Sequence, residues 1–337
     1  MRILILGGTV FLGRALVRAA QEQGHEVSIL SRGLSGPDPQ GVQVFRGDRA
    51  ASAGLSALEG QTFDVVIDTN RQLVSQVEAA ARTLQGRTAR YVFTSTVSVY
   101  ADFSEVGITE ESPTFAPMWP ETPGDEREQD LEHYAALNVS CEQVVEQVMG
   151  DRALIVRPGL IVGDHDPSDR FGYWPARMLR GGRVLAPGTS DRPVQIIDVH
   201  DLAEFVVRAA ADGRSGTYHA TGPAETLTMG GLLAACQEHV GTDLPLVWVD
   251  DAFLMAHDLR PYLDLPLWIP DGPEDVGFSA VDCGKAIAAG LTFRPLEETI
   301  GAALRTERAR GLDRERRAGL TTDREHRLLT EWASAPR

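Results

Sequence analysis

The chain has 337 residues, of which 43% are hydrophobic, and its formal net charge at pH 7 is −16. This size suffices for two lobes around a sizeable core, and the acidic balance argues against binding to a nucleic-acid backbone. The sequence contains no run with the length of a membrane span and no signal-peptide pattern, so we expect a cytoplasmic protein. The three cysteines lack metal-ligand spacing, so we expect reduced thiols and no metal.

The N-terminal segment combines a strand pattern, a glycine-rich turn and the start of a helix. The apolar run from Arg2 to Leu6 is followed by a turn that begins at Gly7 and ends at Gly13. Gly7 allows a tight turn, Gly13 allows the helix to pack closely on the sheet, and the free N–H groups of the helix start can face a pyrophosphate. An ordinary glycine turn would fit this motif alone.

A second strand pattern follows the turn at the expected distance. It runs from Glu26 to Leu30 and ends in Ser31-Arg32-Gly33, about twenty residues after the turn, where dinucleotide-binding folds contact the adenosine ribose. In proteins that prefer NAD, this strand commonly ends in an acidic residue, which binds the ribose 2′-hydroxyl. An arginine at the same place can instead pair with the 2′-phosphate of NADP. Arg32 therefore favours NADP over NAD, although an exposed turn arginine is the alternative.

Strand and helix patterns continue to alternate along the chain, which predicts an α/β fold with a Rossmann-type, doubly wound parallel sheet. We expect a dinucleotide-binding domain over residues 1–158, a smaller C-terminal substrate lobe over 159–320, and a tail over 321–337. Two later strand patterns, Pro193 to Val199 and Gly216 to Ala220, are expected to return to the main sheet. Loop 101–129 is rich in proline and suits a lid.

Several motifs together resemble the extended, atypical short-chain dehydrogenase/reductase family, in the NAD-dependent epimerase/dehydratase group. They are the glycine turn, Thr94 to Tyr100, Tyr134, Arg157-Pro158-Gly159, and Ile197 to Ala203. The resemblance implies a Rossmann domain that binds NADP or NAD and a second lobe that shapes a substrate pocket. The cofactor-binding residues that we expect are Gly7, Thr9, Val10, Phe11, Leu12, Gly13, Ser31, Arg32, Asp48, Thr69, Asn70, Thr94, Pro158 and Gly159.

The catalytic motif departs from the family pattern. Thr96 and Tyr134 match the family's catalytic positions, but Asn138 stands where the family has lysine. An ammonium about 4 Å from a phenol favours the phenolate by roughly 4 kcal/mol at an effective dielectric near 20, and asparagine supplies no charge. Tyr134 is then a neutral phenol that suits proton donation to a carbonyl. An independent cation, at Arg127, Arg157 or His133, would compensate for the lysine.

Substrate contacts are expected in the second lobe and in the loop after the fifth strand, where polar and aromatic residues mix. The candidates are Tyr100, Arg170, Trp174, Arg177 and Arg192. The resemblance also implies a homodimer formed through helices 72–84 and 130–149.

Three functions remain open from the sequence. The first is an NAD(P)-dependent oxidoreductase or epimerase-like enzyme that acts on a hydroxyl or keto group of a sugar or secondary metabolite, with reduction favoured. The second is a non-catalytic, redox-sensing regulator that binds NADP, which the asparagine at position 138 favours. The third is a nucleic-acid-binding protein, which the acidic charge disfavours.

Overall fold

The computed structural model describes residues 1–51, 53–69, 73–119 and 131–334, and its centre is a seven-stranded sheet. The strands of this sheet are β1 (Arg2–Leu6), β2 (Glu26–Ser31), β3 (Gln43–Arg46), β4 (Phe63–Asp68), β5 (Thr88–Thr94), β6 (Ala153–Pro158) and β10 (Gly216–Ala220). Their order is β10-β6-β5-β4-β1-β2-β3, and every neighbouring pair is parallel. The predicted doubly wound parallel sheet is thus confirmed.

Helices cover both faces of this sheet because its strands are apolar on both sides. One face carries α1 (Phe11–Glu22) and α5 (Val199–Ala211), and the other carries α2 (Val74–Leu84) and α3 (Leu131–Met149). Apolar stripes on the two helices that the resemblance implies for a homodimer are buried inside the chain, where α2 packs on α3. These stripes are Val74, Val77 and Ala81 on α2 and Val144, Val145 and Val148 on α3. The homodimer stays a prediction without an assigned surface.

The second lobe has its own core, built from short strands and helices. Its strands are β7 (Leu160–Val162), β8 (Val184–Pro187), β9 (Pro193–Asp198), β11 (Gly222–Thr228) and β12 (Leu246–Val249). Its helices are α4 (Arg170–Met178), α6 (Met229–Val240), α7 (Asp251–Ala256), α9 (Leu296–Arg310) and α10 (Thr322–Ser334), whereas α8 (Gly284–Ala288) packs on β10 of the main sheet. Buried Leu328 and Leu329 of α10 join this core, so the predicted tail docks there.

One of the two strands expected to return to the main sheet does so. Residues 216–220 form β10 and pair with β6. Residues 193–198 form β9 instead in a separate three-stranded sheet, between β7 and β11. The prediction for 193–199 is wrong because β10 occupies the edge of β6, while β7 offers a free edge immediately after β6 in the chain.

The strand order fixes where a ligand can bind. The chain moves from β1 outward through β2 and β3, and then returns to β4 on the other side of β1. The order therefore reverses between β1 and β4, and ligands of open α/β sheets bind in the crevice at the carboxyl ends of the strands there. The predicted site residues after β1, β2, β4 and β5 all follow these carboxyl ends. Among the described helices, none is long and apolar enough to cross a membrane.

Candidate active site

The glycine turn after β1 has the geometry of a phosphate-binding turn. Gly7 and Gly8 have φ values of 129° and 103°, in the region that favours glycine. A Cβ at Gly13 would lie 2.5 Å from the backbone nitrogen of Gly8, so only glycine allows this close approach. The α1 N-cap, Val10, makes no side-chain capping bond, which leaves the first N–H groups of the helix for a ligand.

Val10 stands at the middle position of the turn, where dinucleotide-binding turns usually have a glycine, but its side chain does not fill the turn. The side chain of Val10 is 47% exposed and thus points away from the protein interior. The predicted backbone contacts of Thr9, Val10, Phe11 and Leu12 with a pyrophosphate remain compatible with this turn. The residues present therefore fit a dinucleotide.

The carboxyl end of β4 is tied to the glycine turn. The Thr69 hydroxyl donates to the carbonyl oxygen of Leu6 at 3.0 Å, and a Cβ on Gly7 would lie 2.7 Å from the Thr69 Oγ1. Asn70 lies outside the described residues. The Asp48 carboxylate accepts the backbone N–H of Ala50 in an exposed turn at the same edge of the sheet.

A buried ion pair next to Asp48 was not predicted from the sequence. Arg49 makes two hydrogen bonds of 2.6 and 2.7 Å to Asp68 at the end of β4, and the Tyr91 hydroxyl donates to the same carboxylate. Burial would lower the pKa of Arg49, but the charge and hydrogen bonds of Asp68 outweigh it and raise this pKa. The pair ties the β3–β4 loop to the carboxyl end of β4. Asp68 is thus a structural anchor.

Two arginines lie at the neighbouring carboxyl ends of β2 and β3. Arg32 is exposed and makes no hydrogen bond or ion pair with the rest of the described chain. Arg46, at the end of β3, donates to the Ser31 hydroxyl at 2.9 Å and pairs with Asp38. Sequence reasoning missed Arg46, although its place at the end of the neighbouring strand was a usable signal. Ser31, Arg32 and Arg46 form a group of donors that suits a phosphate.

The carboxyl end of β5 carries buried polar groups that lack partners within the described residues. These are the hydroxyls of Thr94 and Ser95, and the amide oxygen of Asn138 on the neighbouring α3. The hydroxyl of Thr221, a residue that packs against Gly159 after β6, is also buried without a hydrogen-bond partner among the described residues. Native proteins rarely leave buried polar groups unpaired. This edge of the sheet therefore has the donors and acceptors of a ligand site.

The three predicted catalytic residues lie on adjoining elements. Thr96 caps a short 3-10 turn over Val97–Val99, where its Oγ1 accepts the N–H of Ser98 at 3.1 Å. Val139 of α3 packs against this turn, so Thr96 lies beside the helix that carries Tyr134 and Asn138. Tyr134 is half-buried. Asn138 is buried, and its Nδ2 donates to the carbonyl oxygen of Tyr134 at 2.9 Å, so one end of its amide is occupied within the helix.

Arg157 does not replace the missing lysine. It makes hydrogen bonds of 2.9 and 2.6 Å to Glu142, which lies two helical turns after Tyr134, so its charge is neutralised there. Burial would lower the pKa of Arg157, but Glu142 outweighs burial and raises it. Lys285 lies over the Tyr218 ring and 3.8 Å from Glu111. Arg127 lies outside the described residues.

Tyr100 belongs to a buried network with Arg157 and not to an open substrate surface. Arg157 donates to its hydroxyl at 2.7 Å, and this hydroxyl is hydrogen-bonded to the Nε2 of His219. Nδ1 of His219 donates to the carbonyl of Asp282, so a neutral imidazole accepts from Tyr100. Burial raises the pKa of Tyr100 to about 12 and lowers that of His219. Tyr100 thus anchors the strand-end loop, and its predicted role in substrate contact is replaced by a structural one.

Three other predicted substrate residues are held inside the second lobe. Trp174 is fully buried and donates to the carbonyl of Pro266. Arg177 pairs with Glu325 of α10 at 2.6 Å, and Arg192 pairs with Asp251 of α7 at 2.8 Å. The spacing of these residues could not show partners that lie far along the chain. Arg170 differs, because its guanidinium lies over the Tyr262 ring and forms no ion pair among the described residues, although its charge acts on the nearby Asp166 carboxylate and favours the ionised form.

A cavity of about 400 Å³ lies on the outer side of α1. Phe11, Arg14 and Arg18 of α1 line it together with loop 37–40 and the histidines His165 and His200. It adjoins the phosphate-binding turn through Phe11 and Arg14, whereas Thr96 and Tyr134 are not among its lining residues. This cavity is therefore separate from the predicted catalytic residues.

Comparison with known proteins agrees with this geometry. The sequence profile of the NAD dependent epimerase/dehydratase family matches residues 3–69 and 49–220. Among curated proteins, the maize isoflavone reductase homolog IRL is 25% identical over 321 residues, 88% of this chain and 95% of that protein. The chloroplast stem-loop binding protein of 41 kDa b from Arabidopsis thaliana is 26% identical over 264 residues, 72% of this chain. The match spans 64% of the length of that protein.

Solved structures share the fold at lower identity. UDP-glucose 4-epimerase from Thermotoga maritima has a TM-score of 0.64 at 18% identity, over 92% of this chain and 99% of that one. WbmG from Bordetella bronchiseptica, solved with NAD and UDP, has a TM-score of 0.67 at 19% identity, over 93% and 96%. The profile match covers well over half of the sequence. The chain therefore belongs to the NAD-dependent epimerase/dehydratase family.

Proposed function

We propose that this protein is an NADP-dependent reductase that converts the keto group of a small molecule into a hydroxyl group. The observation that carries this proposal is the set of buried, unpartnered polar groups at the carboxyl end of β5, beside Thr96 and α3. A polar ligand bound there would satisfy them, because unpaired buried donors and acceptors each cost about 1–3 kcal/mol. The reductase names among the curated relatives support the direction of the reaction.

The preference for NADP over NAD rests on the carboxyl end of β2. Arg32 has no partner among the described residues. The Arg46 guanidinium lies beside Gly33 and donates to the Ser31 hydroxyl. A 2′-phosphate can take up charge-assisted hydrogen bonds from both arginines, whereas a 2′-hydroxyl cannot. Asp38 neutralises Arg46 in part, so the exposed Arg32 is expected to dominate this preference.

The chain's own groups supply the proton and the orientation for the reduction. A nicotinamide cofactor held at the glycine turn of Gly7 and Gly13 would supply the hydride for this reduction. The Tyr134 hydroxyl donates its proton to the carbonyl oxygen and, being half-buried, regains it from solvent. The Thr96 hydroxyl hydrogen points to Ser98 at 3.2 Å and can rotate to the same carbonyl oxygen. Asn138 keeps the helix backbone at Tyr134 in place through its Nδ2 hydrogen bond.

A non-catalytic, NADP-binding regulator is the second candidate function. The observation that favours it is the asparagine at position 138, which adds no charge next to Tyr134, together with the neutralised Arg157. In such a regulator the nucleotide half would bind NADPH, and no substrate would be turned over.

Turnover by two variants separates these candidates. We expect Tyr134→Phe to abolish oxidation of NADPH in the presence of a panel of ketones, because the donated proton is lost. The matched control is Tyr218→Phe, which removes a hydroxyl from a tyrosine of β10 that packs on Phe205, outside the candidate site. Activity of the unaltered enzyme that survives Tyr134→Phe would refute the proposed role of Tyr134. NADPH binding without turnover of any ketone would favour the regulator.

A further inference from the structure

The aromatic side chains between the two lobes form a continuous row that begins near the catalytic turn. Ring centroids are 6.4 Å apart for Tyr100 and Phe103, 5.0 Å for Phe103 and Phe278, and 5.9 Å for Phe278 and Tyr262. The guanidinium of Arg170 ends the row, 5.5 Å from the Tyr262 ring. Tyr100 is fully buried, whereas the other three rings are only partly buried and retain accessible surface.

Two loops hold this row in place. Gly277 donates its N–H to the carbonyl of Phe103 at 2.7 Å, which joins the loop after β5 to the segment that carries Phe278. Tyr100 lies four residues after Thr96 and packs in one cluster with Val97 and Val139. The row therefore extends from the turn of Thr96 toward the N-terminus of α4.

The surface beside Tyr134 is apolar as well. Leu131, one helical turn before Tyr134, is 59% exposed, and Met118 is 40% exposed. Met118 lies against the same helix, because its N–H donates to the carbonyl of Ala136 and its own carbonyl accepts the Ser140 hydroxyl. Exposed large apolar side chains grouped around a candidate site mark a surface that a ligand can cover.

Three arginines of the second lobe that could hold a diphosphate are already used, whereas the guanidinium of the exposed Arg183 makes no ion pair among the described residues. Arg177 and Arg192 pair with Glu325 and Asp251, and Arg180 donates to the carbonyl of Leu320. Arg170 is the exception among the arginines predicted to contact substrate, and a single guanidinium suits one acidic group. A nucleotide sugar would therefore find Arg177, Arg180 and Arg192 occupied, and its diphosphate would lack their charge in this lobe.

From these contacts we infer that the substrate is a flat aromatic ketone with at most one acidic group, and not a nucleotide sugar. The rings of Phe103, Phe278 and Tyr262 would pack against the aromatic part of the substrate. This inference rests on the proposed function for the identity of the reacting group, but the binding of the aromatic part can be measured without turnover.

The test is binding of three probes to the full chain, measured by ligand-observed saturation-transfer NMR with NADP⁺ present and absent. The probes are 2-acetonaphthone, its ring-saturated counterpart 2-acetyldecalin, and UDP-glucose. We expect 2-acetonaphthone to bind at least tenfold more tightly than either of the others. Equal or tighter binding of UDP-glucose, or equal binding of 2-acetyldecalin, would overturn the inference.

Two variants test whether 2-acetonaphthone binds at the aromatic row. Phe278→Leu keeps an apolar side chain but removes the ring, and we expect it to weaken 2-acetonaphthone at least fivefold. Phe253→Leu is the matched control, because Phe253 is a half-buried ring that packs on Trp332 of α10. Equal effects of the two substitutions would contradict the inference, and thermal unfolding of both variants checks that they fold.

The failure of this inference is distinguishable from the failure of the proposed function. Binding of 2-acetonaphthone that depends on Phe278, without oxidation of NADPH by any ketone, would support the aromatic site and refute the reductase. Oxidation of NADPH by aliphatic ketones, without binding of 2-acetonaphthone, would support the reductase and refute the aromatic site.

Discussion

The contacts that stabilise the nucleotide-binding half differ in kind from those that stabilise the second lobe. In the first, the contacts that shape the glycine turn and the end of β2 join residues close in the chain, such as the approach of Gly13 to Gly8 and the hydrogen bond from the Gly33 N–H to the Ser31 hydroxyl. In the second, they join residues far apart, such as Arg177 and Glu325, which are separated by 148 positions. Local patterns therefore reveal the first site, and only the folded chain reveals the second.

The largest effect should come from breaking a long-range pair of the second lobe. Arg177 and Glu325 are both nearly fully buried, and the Glu325 carboxylate also accepts the N–H of Leu185. We expect Arg177→Ala to lower the free energy of unfolding by about 3–5 kcal/mol, because it leaves a buried carboxylate without its partner. Urea-induced unfolding measures this change.

The control for that prediction is an exposed pair in the nucleotide-binding half. Arg18 and Glu22 lie four residues apart on α1, with side chains 62% and 56% exposed. Arg18→Ala should lower the free energy of unfolding by no more than about 0.5 kcal/mol. Similar losses for the two arginines would mean that the buried pair does not hold the second lobe.

A smaller effect on stability, with a large effect on cofactor binding, is expected in the glycine turn. Gly13→Ala places a Cβ 2.5 Å from the nitrogen of Gly8, so the turn must shift, at about 1–3 kcal/mol of stability. Binding of NADPH should fall sharply, because the N–H groups of the helix start move with the turn. Gly86→Ala is the control, since a Cβ there meets nothing within 4 Å. Unchanged NADPH affinity of the Gly13 variant would show that the turn does not bind phosphate.

The smallest effect concerns pH and the network between the two lobes. Burial lowers the pKa of His219 below its ordinary 6.5, while Tyr100, Arg157, Glu110 and Asp282 surround it. Below about pH 6.5 the unfolded chain therefore binds more protons than the folded chain, and the stability that His219 contributes is lost as pH falls. Thermal unfolding between pH 7.5 and 5.5 should show a shallower loss for His219→Gln than for the unaltered chain. Exposed His326→Gln is the control, and an identical pH dependence in all three proteins would contradict this role.

The sequence was a good guide to the fold and to the nucleotide turn for a physical reason. Strand and helix periodicity, and the glycines between them, act over a few residues, and the structure confirms the parallel sheet that they predicted. The edge that a strand joins depends on which edges are free, and so the place of residues 193–198 was mispredicted. The ion pairs of Arg177 and Arg192 could not be predicted for a related reason, because their carboxylate partners lie far along the chain, on α10 and α7.

The positions of Arg46 and of the aromatic row could not be predicted from local sequence patterns either. The position of Arg46 beside Ser31 depends on the pairing of β3 with β2, and the contact of Phe103 with Phe278 joins loops far apart in the chain. The roles of Thr96, Tyr134 and Asn138 stay predictions, although the structure places them on adjoining elements.

Calorimetric titration of NADPH and NADH into protein stripped of nucleotide tests the central claim most directly. We expect NADPH to bind more tightly than NADH, and Arg32→Ala to weaken NADPH by roughly 10–100-fold, as expected for the loss of a charge-assisted hydrogen bond of about 1.5–3 kcal/mol. NADH affinity should stay unchanged in this variant, and Arg183→Ala, which alters an exposed arginine of the second lobe, should bind both nucleotides normally. Equal binding of NADPH and NADH that does not depend on Arg32, or binding of neither, would contradict the account.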